Sequence, residues 1–322
     1  MIQEKVMFLL EKKQGETISG GYMARALNVS RTAVWKAVHL LIEKGNDIEI
    51  VPNSGYRLNS AGDRLSVPAV QQYLRTGSFG RSLEILEVTD STMNYIRRMD
   101  VSEKDEGFCV ISNEQTGGKG RLQRHFYSPP NEGIYMSFLL KPRIRLSETP
   151  FLTICAAAAV SRAIDKICGV NTQIKWVNDV YCGGKKICGI LTEAALSAEI
   201  GSIDYAVTGI GVNTGQIPEE ISSTAASVFE QTGLKGIRCR LAAEILNEFE
   251  DIYFGFTMYD QKKEILNEYE SKLFILGRQV QVDALDRRYN AVVLGINDDA
   301  ELLVECEDKT RHTINSGEIN LI

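Results

Sequence analysis

The first sixty residues change from a helical to a strand pattern of hydrophobic positions. Apolar residues recur at helical spacing over 2–12, over about 19–27, and again in a third segment for which Ser30 is a good N-cap. Residues 48–58 then alternate apolar and polar positions around a turn at 52–55, which predicts a β-hairpin. Three helices and a hairpin in this order predict a winged helix-turn-helix domain. A helical hairpin that contacts no partner is the alternative.

The outward face of the third predicted helix is polar at its N-terminal end. In a helix-turn-helix domain this part of the second helix of the motif contacts bases in the major groove. The candidate DNA-binding residues are Ser30, Arg31, Thr32, Trp35 and Lys36. Residues 1–60 contain eight Lys or Arg and six Asp or Glu, a net charge of +2, whereas the whole chain has −6. The N-terminal part is therefore the one expected to approach a polyanion.

From residue 83 onwards the pattern switches repeatedly between strand and helix. The predicted strands, the fourth including its exit, cover 83–88, 108–115, 133–141, 173–182, 186–194 and 205–215. The predicted helical segments cover 93–99, 151–168 and about 240–272. Residues 59–66 have the composition of a linker. This pattern predicts an α/β (α+β) multidomain protein.

Composition narrows the class of protein further. The chain has 322 residues, of which 44% are hydrophobic and 24% charged, which excludes a disordered protein. Its longest apolar stretch, 151–160, is far shorter than the ~20 residues that span a bilayer, and the first residues do not resemble a signal peptide. Seven cysteines without a C-x-x-C pair favour reduced thiols over disulfides or a zinc site. We therefore expect a cytoplasmic protein with no membrane partner.

A glycine-rich segment follows the predicted strand at 108–115. Gly117, Gly118 and Gly120 alternate with cationic side chains, and Arg124 follows shortly afterwards. Closely approaching backbone N–H groups together with positive charge suit an anion such as a phosphate. The segment has neither the Walker pattern nor the Rossmann spacing, so a solvated surface loop is an equally good interpretation.

A second polar cluster lies between 175 and 186. Asn178 and Asp179 stand at the mouth of a predicted strand, and Lys185 and Lys186 follow on a turn. A lysine in this position can neutralise a carboxylate and a phosphate while they react. The alternative, a tight hairpin with solvated lysines, is sufficient for Lys185 but does not explain the whole cluster. The three histidines of the chain do not combine with Ser, Asp or Cys into a persuasive nucleophilic set.

Six motifs, in this order along the chain, resemble those of the biotin protein ligase family. They are Asp90–Thr92, Gln115–Arg121, Tyr127–Pro129, Lys175–Asp179, Lys186–Leu191 and Gly209–Asn213. With the winged helix in front, the chain resembles the bifunctional class, which is both biotin–[acetyl-CoA carboxylase] ligase and biotin operon repressor. Residues near 277–282, 294–296 and 316–318 resemble the small SH3-like barrel of that family. The resemblance implies a winged helix over 1–60, a mixed-sheet ligase domain over 67–272 and the barrel over 273–322.

The resemblance also implies an activity, cofactors and partners. The family joins biotin to ATP, releases pyrophosphate, and passes biotin from biotinyl-5'-AMP to a lysine of the biotin carboxyl carrier protein of acetyl-CoA carboxylase or of another biotin-dependent carboxylase. ATP and Mg²⁺ are the implied cofactors, operator DNA is a partner, and a homodimer is expected when biotinyl-AMP is bound. No enzyme nucleophile is needed, so the protein must mainly position the reactants and stabilise negative charge.

The same resemblance assigns residues to the site, with Arg121 and Lys186 as the catalytic pair. The implied biotin-binding residues are Ser91, Thr92, Met93, Gln115, Lys119, Gly120, Arg121 and Lys186. The implied nucleotide-binding residues are Gly118, Arg124, Asp179 and Asn213, and Asp179 is also the implied metal ligand.

The chain departs from the family pattern at three positions. Met93 replaces the usual asparagine, Gln123 replaces a glycine of the loop, and Phe126 replaces a tryptophan. The first departure leaves open a second hypothesis, a biotin-sensing DNA-binding repressor without ligase activity. A third hypothesis is a related ligase that uses lipoate.

Overall fold

The computed structural model describes residues 2–13, 15–43, 46–60, 63–197, 201–284 and 287–322. The chain forms two compact units, one made of Met1–Leu74 with Gly236–Ala243 and the other of Arg75–Lys235 with Glu244–Ile322. Within the described ranges, none of the helices combines the length and the apolar character that a membrane crossing requires.

The first unit contains the predicted helices and hairpin. Its elements are α1 (Ile2–Lys12), β1 (Thr17–Ile18), α2 (Gly20–Ala26), α3 (Arg31–Glu43), β2 (Asp47–Val51), β3 (Gly55–Ser60) and α4 (Val67–Gln71). The strands form an antiparallel sheet in the order β1-β3-β2. Ser30 caps α3 as expected, since its Oγ accepts a hydrogen bond from the N–H of Ala33 at 3.1 Å. The winged helix-turn-helix prediction is confirmed, whereas β1 was not predicted because two residues carry no periodicity.

The predicted linker is shorter than the sequence indicated. β3 extends to Ser60, and α4 begins at Val67, where the Oγ of Ser66 accepts a hydrogen bond from the N–H of Ala69. Residues 61 and 62 lie outside the described residues.

A buried carboxylate lies in the first unit between α1 and the start of α4. Glu11 is 5% exposed, and its Oε2 accepts a hydrogen bond from the Oγ of Ser66 at 2.7 Å. Within the described part of the chain, its Oε1 has no hydrogen-bond partner. Burial raises the pKa of Glu11, although the Ser66 hydrogen bond and the charge of Arg64 oppose the effect.

The second unit is built on a mixed sheet. Its elements are β4 (Leu83–Leu86), α5 (Thr92–Arg97), β5 (Cys109–Ser112), β6 (Gly133–Leu140), α6 (Thr149–Cys168), β7 (Gln173–Lys175), β8 (Asp179–Cys182), β9 (Lys185–Leu196), β10 (Ile203–Asn213), α7 (Val228–Thr232), most of α8 (Arg238–Met258) and α9 (Lys262–Ser271). The residues of α8 up to Ala243 belong to the first unit. The strand order is β4-β5-β6-β10-β9-β8-β7, with β4 and β5 parallel and the other neighbours antiparallel.

The structure divides two segments that the sequence had joined. The segment 173–182, expected to be a strand with its exit, is a hairpin of β7 and β8, in whose turn Asn178 is the one turn-favouring residue and Gly and Pro are absent. The helical stretch expected over 240–272 is two helices, α8 and α9, separated at Asp260, which has a left-handed φ of 53°. An aspartate tolerates this conformation better than most residues, but its presence alone does not predict a break.

The two faces of the mixed sheet pack against different helices. Phe138 of β6 faces α8 and packs on Phe249 with a centroid distance of 4.5 Å. The adjacent Leu139 lies on the other face, where it joins Met93 and Ile96 of α5 in a buried cluster. Because side chains alternate along a strand, positions 207, 209 and 211 of β10 share the α5 face.

The C-terminal domain is an antiparallel sheet. Its strands are β11 (Gln279–Ala284), β12 (Arg287–Ile296), β13 (Leu302–Cys306), β14 (Arg311–Ile314) and β15 (Glu318–Leu321), in the order β14-β13-β12-β11-β15. Its core contains Val280, Val282, Val293, Leu302 and Val304, all at most 1% exposed.

Candidate active site

A cavity of about 250 Å³ lies on the α5 face of the mixed sheet. It is lined by residues of α5, β6, β9 and β10, the loop 119–126, the β7–β8 turn and the residues 317–320 of the C-terminal domain. Most of the residues assigned from the sequence line this cavity, namely Ser91, Thr92, Met93, Gln115, Lys119, Gly120, Arg121, Arg124, Asp179 and Lys186.

Gly118 and Asn213 are assigned site residues that do not line this cavity. A Cβ on Gly118 would lie 2.8 Å from the Oγ of Ser128, so packing alone requires glycine there. The Nδ2 of Asn213 donates a hydrogen bond to the carbonyl of Ala226 at 3.1 Å. In the structure both residues therefore support the surroundings of the site.

Glycines form the floor of the cavity where large side chains lie against the sheet. A Cβ on Gly211 would lie 2.4 Å from the ring of Phe126, and one on Gly209 would lie 2.7 Å from the Sδ of Met93. Glycine is needed at both positions because any larger residue would displace Phe126 or Met93. The ring of Phe126 therefore packs against the sheet and forms part of the cavity wall.

One end of the cavity carries a connected set of neutral polar groups. The Oε1 of Gln115 accepts hydrogen bonds from the N–H of Thr92 at 2.9 Å and from its Oγ1 at 3.2 Å. The Nε2 of Gln115 donates to the Oγ of Ser128 at 3.1 Å, and the Oγ atoms of Thr92 and Ser137 are 2.7 Å apart. Ser91 caps α5 beside them. These contacts hold several donors and acceptors in fixed positions, which suits a ligand with a polar, uncharged head.

The glycine-rich loop folds back on itself above the cavity. The N–H of Gly117 donates to the carbonyl of Asp90, and the N–H of Gly120 donates to the carbonyl of Arg124, both at 2.8 Å. These two N–H groups therefore bind protein, whereas the sequence had suggested that they face an anion. Leu122 and Gln123 have φ values of 54° and 59°. Gln123, which replaces a glycine of the family pattern, thus occupies a conformation that favours glycine.

Both loop arginines contact the C-terminal domain. The Nη2 of Arg121 donates to the carbonyl of Gly317 at 3.0 Å, and its Nη1 donates to the Oδ1 of Asn178 at 3.3 Å. Arg124 forms an ion pair with Glu318 at 2.6 Å. The loop is therefore held over the cavity from the side of the C-terminal domain.

Three charged side chains meet opposite this loop. The Nζ of Lys186 and the Oδ1 of Asp179 are 2.7 Å apart, and both side chains are partly buried. Burial lowers the pKa of Lys175, and the positive charge of Lys186 adds to this effect while Asp179 opposes it. Together with Arg121, these lysines make this end of the cavity suited to anions.

The sequence interpretation did not assign several of the residues that form the site. Lys175 and Asn178 belong to a motif that was recognised but were given no role, and Trp176 lines the cavity next to them. Gly317 and Glu318 were assigned only to the C-terminal barrel. Their contacts with Arg121 and Arg124 join residues almost two hundred positions apart, so no local pattern in the sequence indicates them.

The donors present do not form a magnesium site by themselves. Among the described residues, no group of three or more His, Cys, Asp or Glu side chains could hold a metal ion. The carboxylate of Asp179 is paired with Lys186. Mg²⁺ in nucleotide sites is commonly held by one or two carboxylates together with substrate phosphates, so Asp179 as a metal ligand stays a prediction.

The candidate DNA-binding face lies in the first unit, on α3. The residues assigned to it are all exposed, namely Ser30, Arg31, Thr32, Trp35 and Lys36. Trp35 is 51% exposed although it is a large aromatic residue, and its ring lies 4.1 Å from that of His39. The opposite side of the helix is buried through Val34 and Val38. An exposed aromatic and cationic face of this kind suits binding to a groove of DNA.

Comparisons with known proteins match each part of the chain. Residues 85–213 match the biotin/lipoate A/B protein ligase family, residues 2–57 an HTH domain, and residues 275–321 the biotin protein ligase C terminal domain. The chain is 34% identical to the bifunctional ligase/repressor BirA of Bacillus spizizenii, over 99% of this chain and 98% of that protein. The corresponding protein of Escherichia coli is 26% identical, over 95% of this chain and 94% of that protein.

A solved structure is similar to most of the chain. The biotin protein ligase from Aquifex aeolicus in complex with biotin and ATP is 30% identical, with a TM-score of 0.65, over 75% of this chain and 99% of that one. The relative from Bacillus spizizenii matches the chain over nearly the full length of both proteins, and an HTH domain and the C-terminal domain of the ligases are both matched. The chain therefore belongs to the family of bifunctional biotin protein ligases and repressors.

Proposed function

We propose that the protein activates biotin with ATP, transfers it to a lysine of a biotin carboxyl carrier protein, and represses transcription in response to the activated intermediate. The observation that carries the enzymatic part is the cavity itself. It joins a fixed neutral polar end, at Thr92 and Gln115, to a cationic end, at Arg121 and Lys186. A molecule with an uncharged polar head and a carboxylate fits this arrangement.

The polar end of the cavity holds the ureido head of biotin in this proposal. Ser91, Thr92 and Gln115 offer hydroxyl and amide groups in positions fixed by their mutual hydrogen bonds. Met93 packs on Gly209 in place of the asparagine of the family pattern, so it supplies apolar contact there rather than a hydrogen bond. Lys119 and Gly120 lie on the loop that covers the carboxylate end.

Arg121 and Lys186 are proposed to stabilise the reacting anions. A carboxylate oxygen of biotin attacks the α-phosphorus of ATP, and pyrophosphate leaves. Lys186 lies between the two anions and reduces their repulsion, while Arg121 holds the phosphate of the adenylate. In the second step the amine of the carrier lysine attacks the carbonyl carbon and loses a proton, and AMP leaves. The proposed nucleotide side also includes Gly118, Arg124, Asp179 and Asn213, of which Gly118 acts through packing and Asn213 through its hydrogen bond to Ala226.

Mg²⁺ is proposed to reach the site together with ATP. The site lacks a preformed set of carboxylates among the described residues, and the triphosphate itself supplies oxygen ligands to the ion. The homodimer, the domain boundaries at 60, 67, 272 and 273, and the cytoplasmic location likewise stay predictions.

The reaction is tested with the purified full chain, Mg-ATP, biotin and a biotin carboxyl carrier domain. We expect biotin-dependent exchange of labelled pyrophosphate into ATP, and attachment of biotin to one carrier lysine. If the folded protein binds biotin but catalyses neither step, it is a sensor without ligase activity. If lipoate replaces biotin in the exchange reaction, the assignment of the substrate is wrong.

A further inference from the structure

The turn between β7 and β8 lies under the cationic end of the cavity and is fixed from two sides. It consists of Trp176, Val177 and Asn178, between the cavity residues Lys175 and Asp179. The Nε1 of Trp176 donates a hydrogen bond to the carbonyl of Ala300 at 3.1 Å. From α9, the hydroxyl of Tyr269 donates to the carbonyl of Val177 at 3.0 Å.

Tyr269 is suited to act as a permanent donor. Its side chain is 0% exposed, and it does not line the cavity. A tyrosine hydroxyl is ordinarily protonated at neutral pH, and burial raises the pKa of this one well above the usual value, with the charge of Asp179 adding to the effect and that of Arg121 opposing it. Val177 is partly buried, so without this donor its carbonyl must find another partner, either through a movement of the turn or from water.

The turn is connected to the catalytic arginine through its next residue. The Oδ1 of Asn178 accepts the hydrogen bond from Arg121. Its Nδ2 donates to the carbonyl of Ile190 at 2.9 Å, and its own carbonyl accepts from the N–H of Ile190 at 3.0 Å. A rotation of the peptide between Val177 and Asn178 therefore changes the place at which Arg121 is held.

We infer that Tyr269 is a positioning residue for adenylate formation, because its hydrogen bond to Val177 sets where Asn178 holds Arg121. The inference rests on the proposed function. It concerns only the cationic end of the cavity, since Tyr269 has no part in the hydrogen bonds of Thr92 and Gln115 at the other end. The hydrogen bonds proposed for the head of biotin therefore do not depend on Tyr269, and Lys186 is still available to the biotin carboxylate.

The test compares two buried tyrosines in the full chain. Tyr269→Phe removes only the hydroxyl. Tyr253→Phe is the matched control, because Tyr253 is 1% exposed and its hydroxyl donates to the carboxylate of Glu106 away from the cavity. For Tyr269→Phe we expect the rate of pyrophosphate exchange at saturating substrates to fall about tenfold while the dissociation constant for biotin changes less than about twofold. Tyr253→Phe is expected to lower the melting temperature without changing either quantity.

A double-mutant cycle tests the route through Arg121. If Tyr269 acts through Arg121, Tyr269→Phe is expected to have little further effect on adenylate formation in an Arg121→Gly background. Full additivity would overturn the inference, as would an unchanged exchange rate in a folded Tyr269→Phe protein. If Tyr269→Phe does not fold, Asn178→Ser is tested instead. It removes the amide oxygen that accepts the hydrogen bond from Arg121, and it must cause the same loss of rate. The wild-type exchange reaction is the internal reference: its absence refutes the proposed function, whereas its presence with an unaffected Tyr269→Phe variant refutes this inference alone.

Discussion

At the scale of single residues, Arg121 and Lys186 both line the cationic end of the cavity. Arg121→Gly is expected to slow adenylate formation about tenfold and to weaken retention of biotinyl-AMP, because Arg121 is proposed to hold the phosphate and belongs to the covering loop. Lys186→Ala is expected to slow adenylate formation by roughly a hundredfold, because the charge between the two reacting anions is lost. Pyrophosphate exchange measures the first step, and labelling of unrelated proteins measures leakage of the adenylate. Normal exchange in Lys186→Ala would contradict the assigned role.

A second prediction for a single residue concerns the backbone conformation of Gln123 rather than the charge of a side chain. Its φ of 59° is easy for glycine and costs other residues about 1 kcal/mol. Gln123→Gly is therefore expected to unfold in urea with a free energy about 1 kcal/mol higher than that of Gln123→Ala. Both variants remove the same polar side chain, so the comparison isolates the backbone. Equal stability of the two variants would show that the loop relaxes out of the left-handed conformation.

At the scale of elements, the packing of α1 against the start of α4 depends on the protonation of Glu11. Because burial raises the pKa of Glu11, the folded protein binds a proton at this carboxyl group more tightly than the unfolded chain does. The stabilising contribution of this bound proton is therefore complete at pH values below the pKa of Glu11 in the unfolded chain. It is lost as the pH rises through the higher pKa of Glu11 in the folded protein. Glu11→Gln, which does not titrate, is expected to be more stable than the wild type by roughly 1–3 kcal/mol near neutral pH. The difference is expected to shrink as the solution is acidified.

Urea unfolding of the full chain at several pH values measures this difference. Glu16→Gln is the control, because the Glu16 side chain is 67% exposed and forms a surface ion pair with Lys13. A pH-independent difference between Glu11→Gln and the wild type would show that the Glu11 carboxylate does not change its protonation in this range.

Individual elements of the structure differ in whether the sequence alone could predict them. The regular spacing of Val34, Val38 and Leu41 predicted α3 with its cap, and the ordered motifs predicted most of the cavity lining. Strand β1 was not predicted because a two-residue strand has no period. The β7–β8 turn was not predicted because Asn178 is the one turn-favouring residue in Trp176–Asn178, which contains neither Gly nor Pro. The contacts of Arg121 and Arg124 with the C-terminal domain could not be predicted, because they depend on tertiary packing.

At the scale of the whole molecule, ligation and DNA binding are expected to be linked through dimerisation. The first sixty residues carry a charge of only +2, which gives one copy little electrostatic affinity for DNA. Tight binding is therefore expected to require two copies on a two-fold operator. We expect operator affinity to increase with biotin and ATP and to decrease when unbiotinylated carrier is added.

Operator affinity and molecular mass, measured with and without biotinyl-AMP, check this expectation. Trp35→Ala on α3 is expected to weaken operator binding without changing pyrophosphate exchange. An operator complex that forms as a monomer and ignores biotinyl-AMP would exclude the regulatory role.

The Lys186–Asp179 ion pair has a consequence for the release of the finished carrier. At 2.7 Å, Asp179 already supplies Lys186 with a carboxylate, so we expect the carboxylate of biotin to displace one that belongs to the protein. Biotin gives up its carboxylate charge when the adenylate forms, and the anion of the intermediate is then its phosphate. After AMP leaves, the amide on the carrier lysine is uncharged, and Asp179 is expected to pair with Lys186 again. We therefore expect the same ion pair to admit the acid and to favour release of the amide, and with it turnover on successive carriers.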